Sequence, residues 1–99
     1  MLTRIEILNY LQENKAAFLD AYGIRKIGLF GSYARDEQTE QSDVDILIEM
    51  SEDTTNIFDK RLQFQELLMK QFSKKVDVCH EPAIKPIFRE IVLNETRYA

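Results

Sequence analysis

Three aspartates stand where apolar strands would carry aliphatic side chains. Asp43 and Asp45 lie in "DVDILIE", and Asp77 lies in "KKVDVCH". Successive side chains of a strand point to opposite faces, so Asp43 and Asp45 project together while Val44 and Ile46 enter a core. Asp77 repeats the arrangement, with Val76 and Val78 facing away. Neighbouring carboxylates repel unless a cation sits between them. Mg²⁺ suits that place, because it takes oxygen ligands and joins one or two carboxylates to phosphate oxygens. Asp77 is the candidate third acid, ligating metal or accepting the proton of an attacking hydroxyl.

Upstream of the pair, "FGSYAR" supplies the complementary part. Gly31 lets the backbone approach a ligand closely. Ser32 opens a short helix, where free N–H groups and the dipole favour an anion, and its hydroxyl adds a donor. Arg35 either neutralises phosphate charge or pairs with Asp36 or Glu37 at the surface. A phosphate grip beside a metal grip is what phosphoryl or nucleotidyl transfer from a triphosphate needs.

The elements that must position these groups follow from pattern. "TRIE", Thr3 to Glu6, has the form of a capping box, and Gly23 is a stop signal, so a helix is expected over about 3–22. Strands are expected over 24–30, 43–49 and 74–80. A short helix starts at Ser32. A longer one spans 57–72, with Phe58, Leu62, Leu68, Met69 and Phe72 near one face. A last one begins near Pro86, with an apolar stripe of Ile84, Ile87, Phe88, Ile91 and Val92. The order α-β-α-β-α-β-α implies a small α/β domain, a three-stranded mixed sheet backed by helices. The two stripes are expected to be mostly core. Three helices around three strands leave surface over, so one stripe is expected to reach a partner surface. Gly28 has no evident role, and Tyr98 reads as a contact residue or a frayed end.

The totals bound the function. A chain of 99 residues fits one domain, and 44% hydrophobic with 30% charged residues is ordinary for a folded protein. A net charge of -4 argues against a general nucleic-acid binder, yet allows one nucleotide bound through a metal. Cys79 is the single cysteine, so no intrachain disulfide forms and a reducing compartment fits. It reads as a small core residue. His80, the one histidine, has no neighbouring ligand set for zinc. Lys74 and Lys75 read as a solvated turn. With no apolar signal segment and no apolar run of membrane length, a cytoplasmic protein is expected.

"GSYARDEQTEQSDVDILI" resembles the nucleotidyltransferase signature of the DNA polymerase β superfamily: a GS turn, a spacer, an Asp-x-Asp pair and a later strand Asp. The "GSYAR" form and "SDVDIL" resemble the minimal nucleotidyltransferases (MNT), which often accompany a helical HEPN-domain protein. The resemblance implies that Gly31 and Ser32 bind the triphosphate of ATP. It implies that Asp43 and Asp45 hold two Mg²⁺ and that Asp77 is the third acid. It further implies an antitoxin that transfers AMP from ATP to a tyrosine of a HEPN toxin. Asp36 departs from the pattern, since family members commonly carry Gly there; an altered loop shape is expected. Two alternatives stay open: a non-catalytic antitoxin that occludes its toxin, and transfer to a small molecule such as an aminoglycoside. The latter normally uses an added helical domain, for which this sequence has no room.

Overall fold

The computed structural model describes residues 1–99. Thr3 caps the first helix as expected: its Oγ1 accepts from the Glu6 N–H at 3.2 Å and lies 3.1 Å from Glu6 Oε1. The expected single helix over 3–22 is two, α1 (Arg4–Glu13) and α2 (Lys15–Tyr22). Asn14 breaks it. Its backbone leaves the helical region at φ -106°, ψ 7°, and its side-chain amide donates to the Tyr10 carbonyl at 2.9 Å beside the backbone bond to the same oxygen at 3.2 Å. Gly23 then ends α2 at φ 72°, the left-handed cap that glycine takes without steric cost.

The chain continues as β1 (Ile24–Phe30), α3 (Gly31–Ala34), β2 (Val44–Met50), α4 (Ile57–Phe72), β3 (Val76–His80), a 3₁₀ turn over Glu81–Ala83, α5 (Pro86–Glu95) and β4 (Arg97–Tyr98). The sheet is mixed, in the order β3-β2-β1-β4. β1 and β2 run antiparallel, while β2 and β3 run parallel with α4 as their crossover. The sheet therefore has four strands, not the expected three. β4 is two residues long and has no periodicity to betray it. It pairs with β1 through Gly28 and Leu29, and Gly28 thereby gains a role. A Cβ there would sit 2.5 Å from Thr96 Cγ2 and 3.2 Å from the Arg97 carbonyl, so glycine makes room for the closing segment.

One face of the sheet carries the core. Ile27 and Leu29 of β1, Val44, Ile46 and Ile48 of β2 and Val76 of β3 are buried against Ile7, Leu11, Phe18, Phe64 and Leu68 of the helices. Each such side chain contributes about 1.5–3 kcal/mol by leaving water. α4 bears out only part of its expected stripe: Leu68 is buried and Phe72 packs against the core, joined by Phe64, which was not expected, while Phe58, Leu62 and Met69 stay exposed. α5 buries no residue at all, and Ile87, Phe88 and Ile91 are exposed, so its stripe is not core. No helix is long and apolar enough to cross a membrane.

Candidate active site

The carboxylates occupy the other face of the sheet, at the end where β1 finishes and β2 begins. Asp45 lies directly opposite Asp77 across the parallel pair, and opposite Phe30 across the antiparallel one. Asp43 stands one residue before β2, so the strand starts at Val44 and not at the acid. Val44 and Ile46 are fully buried, whereas Asp43 and Asp45 are half-buried and Asp77 is exposed. Burial pushes the Asp45 carboxyl up to about 6, helped by the charges of Asp77, Asp43 and Glu95 and opposed by Arg35. Asp43 has a cation already: Lys75 Nζ stands 3.6 Å from its Oδ2.

The "FGSYAR" turn packs directly on Asp45. Gly31 has φ 76°, and a side chain on it would collide with the Asp45 carboxylate, whose Cγ lies 3.0 Å from the position of a Cβ. Only glycine joins that conformation to that closeness. Ser32 follows in the first turn of α3, partly buried. Arg35, at the end of α3, pairs with Glu37 at 3.4 Å as one expectation had it, and also with Glu95 at 3.0 Å. Glu95 is a residue that sequence reasoning missed. Its Oε1 accepts from the Gly31 N–H at 3.1 Å while its Oε2 holds Arg35. In "LNETRY" it reads as an ordinary polar helix end. Only the return of β4 to the β1 edge carries it to the site.

Asp36 resolves the departure from the family pattern. It has φ 60°, in the left-handed region that glycine enters most cheaply, and its Oδ2 is held by Arg4 at 3.3 Å. The loop thus keeps a backbone shape suited to Gly, with an aspartate pinned in it. Tyr33 of the same turn is fully buried, and its hydroxyl finds no partner within the chain. Cys79 lies on the acid-bearing side of β3, opposite Leu47, partly buried, and its thiol is pushed up by that burial. The His80 imidazole is pushed down by burial and by Arg61. Cys79 and His80 are neighbours in sequence, but no third metal-ligating side chain joins them.

The donor set suits a hard divalent cation. Its groups are all carboxylates; burial first, and then the neighbouring charges of Asp77, Asp43 and Glu95, push Asp45 up, and a cation would relieve the second of these. As posed, no three acidic or soft-ligand side chains close around one point, so any ion would draw them together. The site is an open face. A concavity of about 250 Å³, lined by Gly23, Ser51 and Thr54 among others, lies at the opposite end of the strands and adjoins none of these acids.

The model of the family described as the nucleotidyltransferase domain matches residues 7–99, nearly the whole chain. The chain belongs to that family. This nucleotidyltransferase is 36% identical over 98 residues to the protein adenylyltransferase MntA of Thermococcus cleftensis, covering 99% of this chain and 97% of the relative. Among solved structures it is similar to a provisionally assigned minimal nucleotidyltransferase, with TM-score 0.78 and 28% identity over 97% of this chain and 95% of that one. It also shares its fold with a complex of tri-AMPylated Shewanella oneidensis HEPN toxin and MNT antitoxin. There the TM-score is 0.61 at 18% identity, over 92% of this chain and 70% of that chain. The minimal-nucleotidyltransferase resemblance read from "GSYAR" and "SDVDIL" stands on the first two, while the third shares the fold alone.

Proposed function

We propose that this nucleotidyltransferase transfers AMP from ATP to a protein hydroxyl, a tyrosine of a cognate HEPN toxin, and so acts as an antitoxin. The observation that carries the reading is the packing of Gly31 on Asp45, with Asp77 in register beside it. That packing brings the phosphate turn and the acids into one site. The relative named a protein adenylyltransferase supports AMP as the transferred group.

In this reading the Gly31 N–H, Ser32 and Arg35 hold the triphosphate, and the acids gather at its α-phosphate. Mg²⁺ held by Asp43, Asp45 and Asp77 would offset the carboxylate charge and the charge that develops on the phosphate oxygens. The acceptor oxygen bonds to the α-phosphorus as the bond to the β-phosphate oxygen breaks, and pyrophosphate leaves. Asp77, exposed at the rim, takes the acceptor proton. The test is transfer of labelled AMP to the co-expressed partner. Asp43→Ala/Asp45→Ala should reduce it by at least about a hundredfold, the scale of losing a charge-stabilising group. Transfer at the wild-type rate would sink the mechanism.

A second reading draws on the exposed apolar rows of α4 and α5. The protein would then neutralise its toxin by covering it. The same double variant separates the two, since full protection of cells without transfer would favour covering alone.

A further inference from the structure

Glu95 does something unusual for a surface carboxylate. It reaches from the last residue of α5 to two of the groups assigned to the triphosphate, one oxygen on each: Oε1 on the Gly31 N–H at 3.1 Å and Oε2 on Arg35 Nη1 at 3.0 Å. Its side chain is only 24% exposed. It stands close enough to Asp45 for its charge to push that carboxyl up.

We propose that Glu95 is an internal competitor for the phosphate grip: its carboxylate occupies the Gly31–Arg35 donors when no nucleotide is bound and must leave when a triphosphate arrives. The inference rests on the nucleotide-transfer reading above. A carboxylate and a phosphate ask for the same donors, and two anions cannot share them beside three aspartates without repulsion. Glu95 therefore sets nucleotide affinity without touching the reacting atoms.

The fold holds it in place and also lets it go. β4 follows at Arg97, and the Ala99 N–H donates to the Ile27 carbonyl at 3.0 Å, so the segment that presents Glu95 is fixed on its C-terminal side. Yet α5 has no buried residue, so a shift at its C-terminal end uncovers no core. The competing account is a staple, in which Glu95 simply ties α5 to α3. The two accounts differ in sign. Removing a staple loosens the grip and weakens binding, whereas removing a competitor strengthens it.

The experiment is calorimetric titration of the full chain with a non-hydrolysable ATP analogue and Mg²⁺. The variants are Glu95→Gln, Arg35→Ala and the double variant, each with a thermal melt to show folding. Glu95→Gln keeps the shape and removes the charge. It should bind the analogue about three- to tenfold more tightly, the scale of one charge-assisted contact. Arg35→Ala should bind more weakly, and the gain from Glu95→Gln should shrink in its background. Equal or weaker binding by folded Glu95→Gln, beside a wild type that binds, overturns the competitor and leaves the transfer reading standing. A folded wild type that binds no analogue overturns both.

Discussion

Asp45 concentrates the conflict that defines this site at the scale of single residues. Its neighbours Val44 and Ile46 are fully buried, so the strand holds it in place whatever its charge costs. In the folded chain its pKa is about 6, against 3.8 for the ordinary group. A folded-state pKa above the unfolded one means that the native state binds the extra proton. Stability from this group is therefore present at low pH and is lost as pH rises from about 4 through about 6. The full shift corresponds to about 3 kcal/mol, and partial exposure to water reduces that to about 1–2 kcal/mol. Asp45→Asn should therefore stabilise the metal-free protein by about 1–2 kcal/mol at neutral pH, and by almost nothing near pH 4. Urea melts with chelator at the two pH values measure this. A gain of equal size at both would trace the effect to packing instead of charge. The period-two pattern made the placement of Asp45 legible in the sequence, as it did for Asp77. Asp36 was half legible: the departure from Gly showed, but its left-handed backbone and its Arg4 partner are facts of the folded loop.

The elements show where pattern stops being enough. Strands β1, β2 and β3 carry alternating or continuous apolar runs, and they appear within two residues of their expected bounds. The break at Asn14 left no trace in the apolar spacing, because it lies in one residue's backbone, at φ -106°, ψ 7°, and in a polar side chain that bonds the Tyr10 carbonyl. In α4 two rows share the helical period. Phe58, Leu62 and Met69 form one, Phe64 and Leu68 the other, and spacing alone does not say which meets the sheet. β4 was invisible for another reason, since its two residues gain their strand geometry only from the edge of β1. Gly28 is the sequence's one mark of it. Gly28→Val would drive its side chain into Thr96 and the Arg97 carbonyl, a clash costing about 1–3 kcal/mol if the segment stays. The cheaper response is release of β4. Hydrogen exchange should then show the Ala99 amide, bonded to Ile27 in the wild type, losing its protection. Amides between β1 and β2 should keep theirs. Uniform loss across the sheet would mean that Gly28 serves the core and not the closing strand.

Across the whole molecule, apolar surface is distributed unevenly between the two sides of the sheet. The core side is filled by α1, α2 and α4, with Phe64 set between Phe18 and Tyr22 at ring separations of 5.0 and 5.6 Å. On the acid-bearing side α5 reaches the site through Glu95 and leaves Ile87 at 76% and Ile91 at 65% exposure. Side chains that stay mostly in water in the folded chain gain little from folding. Ile87→Ser/Ile91→Ser should therefore change unfolding free energy by no more than about 0.5 kcal/mol, as for surface changes elsewhere. Phe64→Ala, which empties a fully buried ring position, should cost about 3–5 kcal/mol. Urea denaturation of the isolated chain compares the two directly. A loss above about 1 kcal/mol in the isoleucine variant would mean that α5 packs against the sheet in solution. Glu95, at the end of that helix, would then be held by packing as well as by its two polar contacts, and the grip would open less readily than the exposed stripe implies.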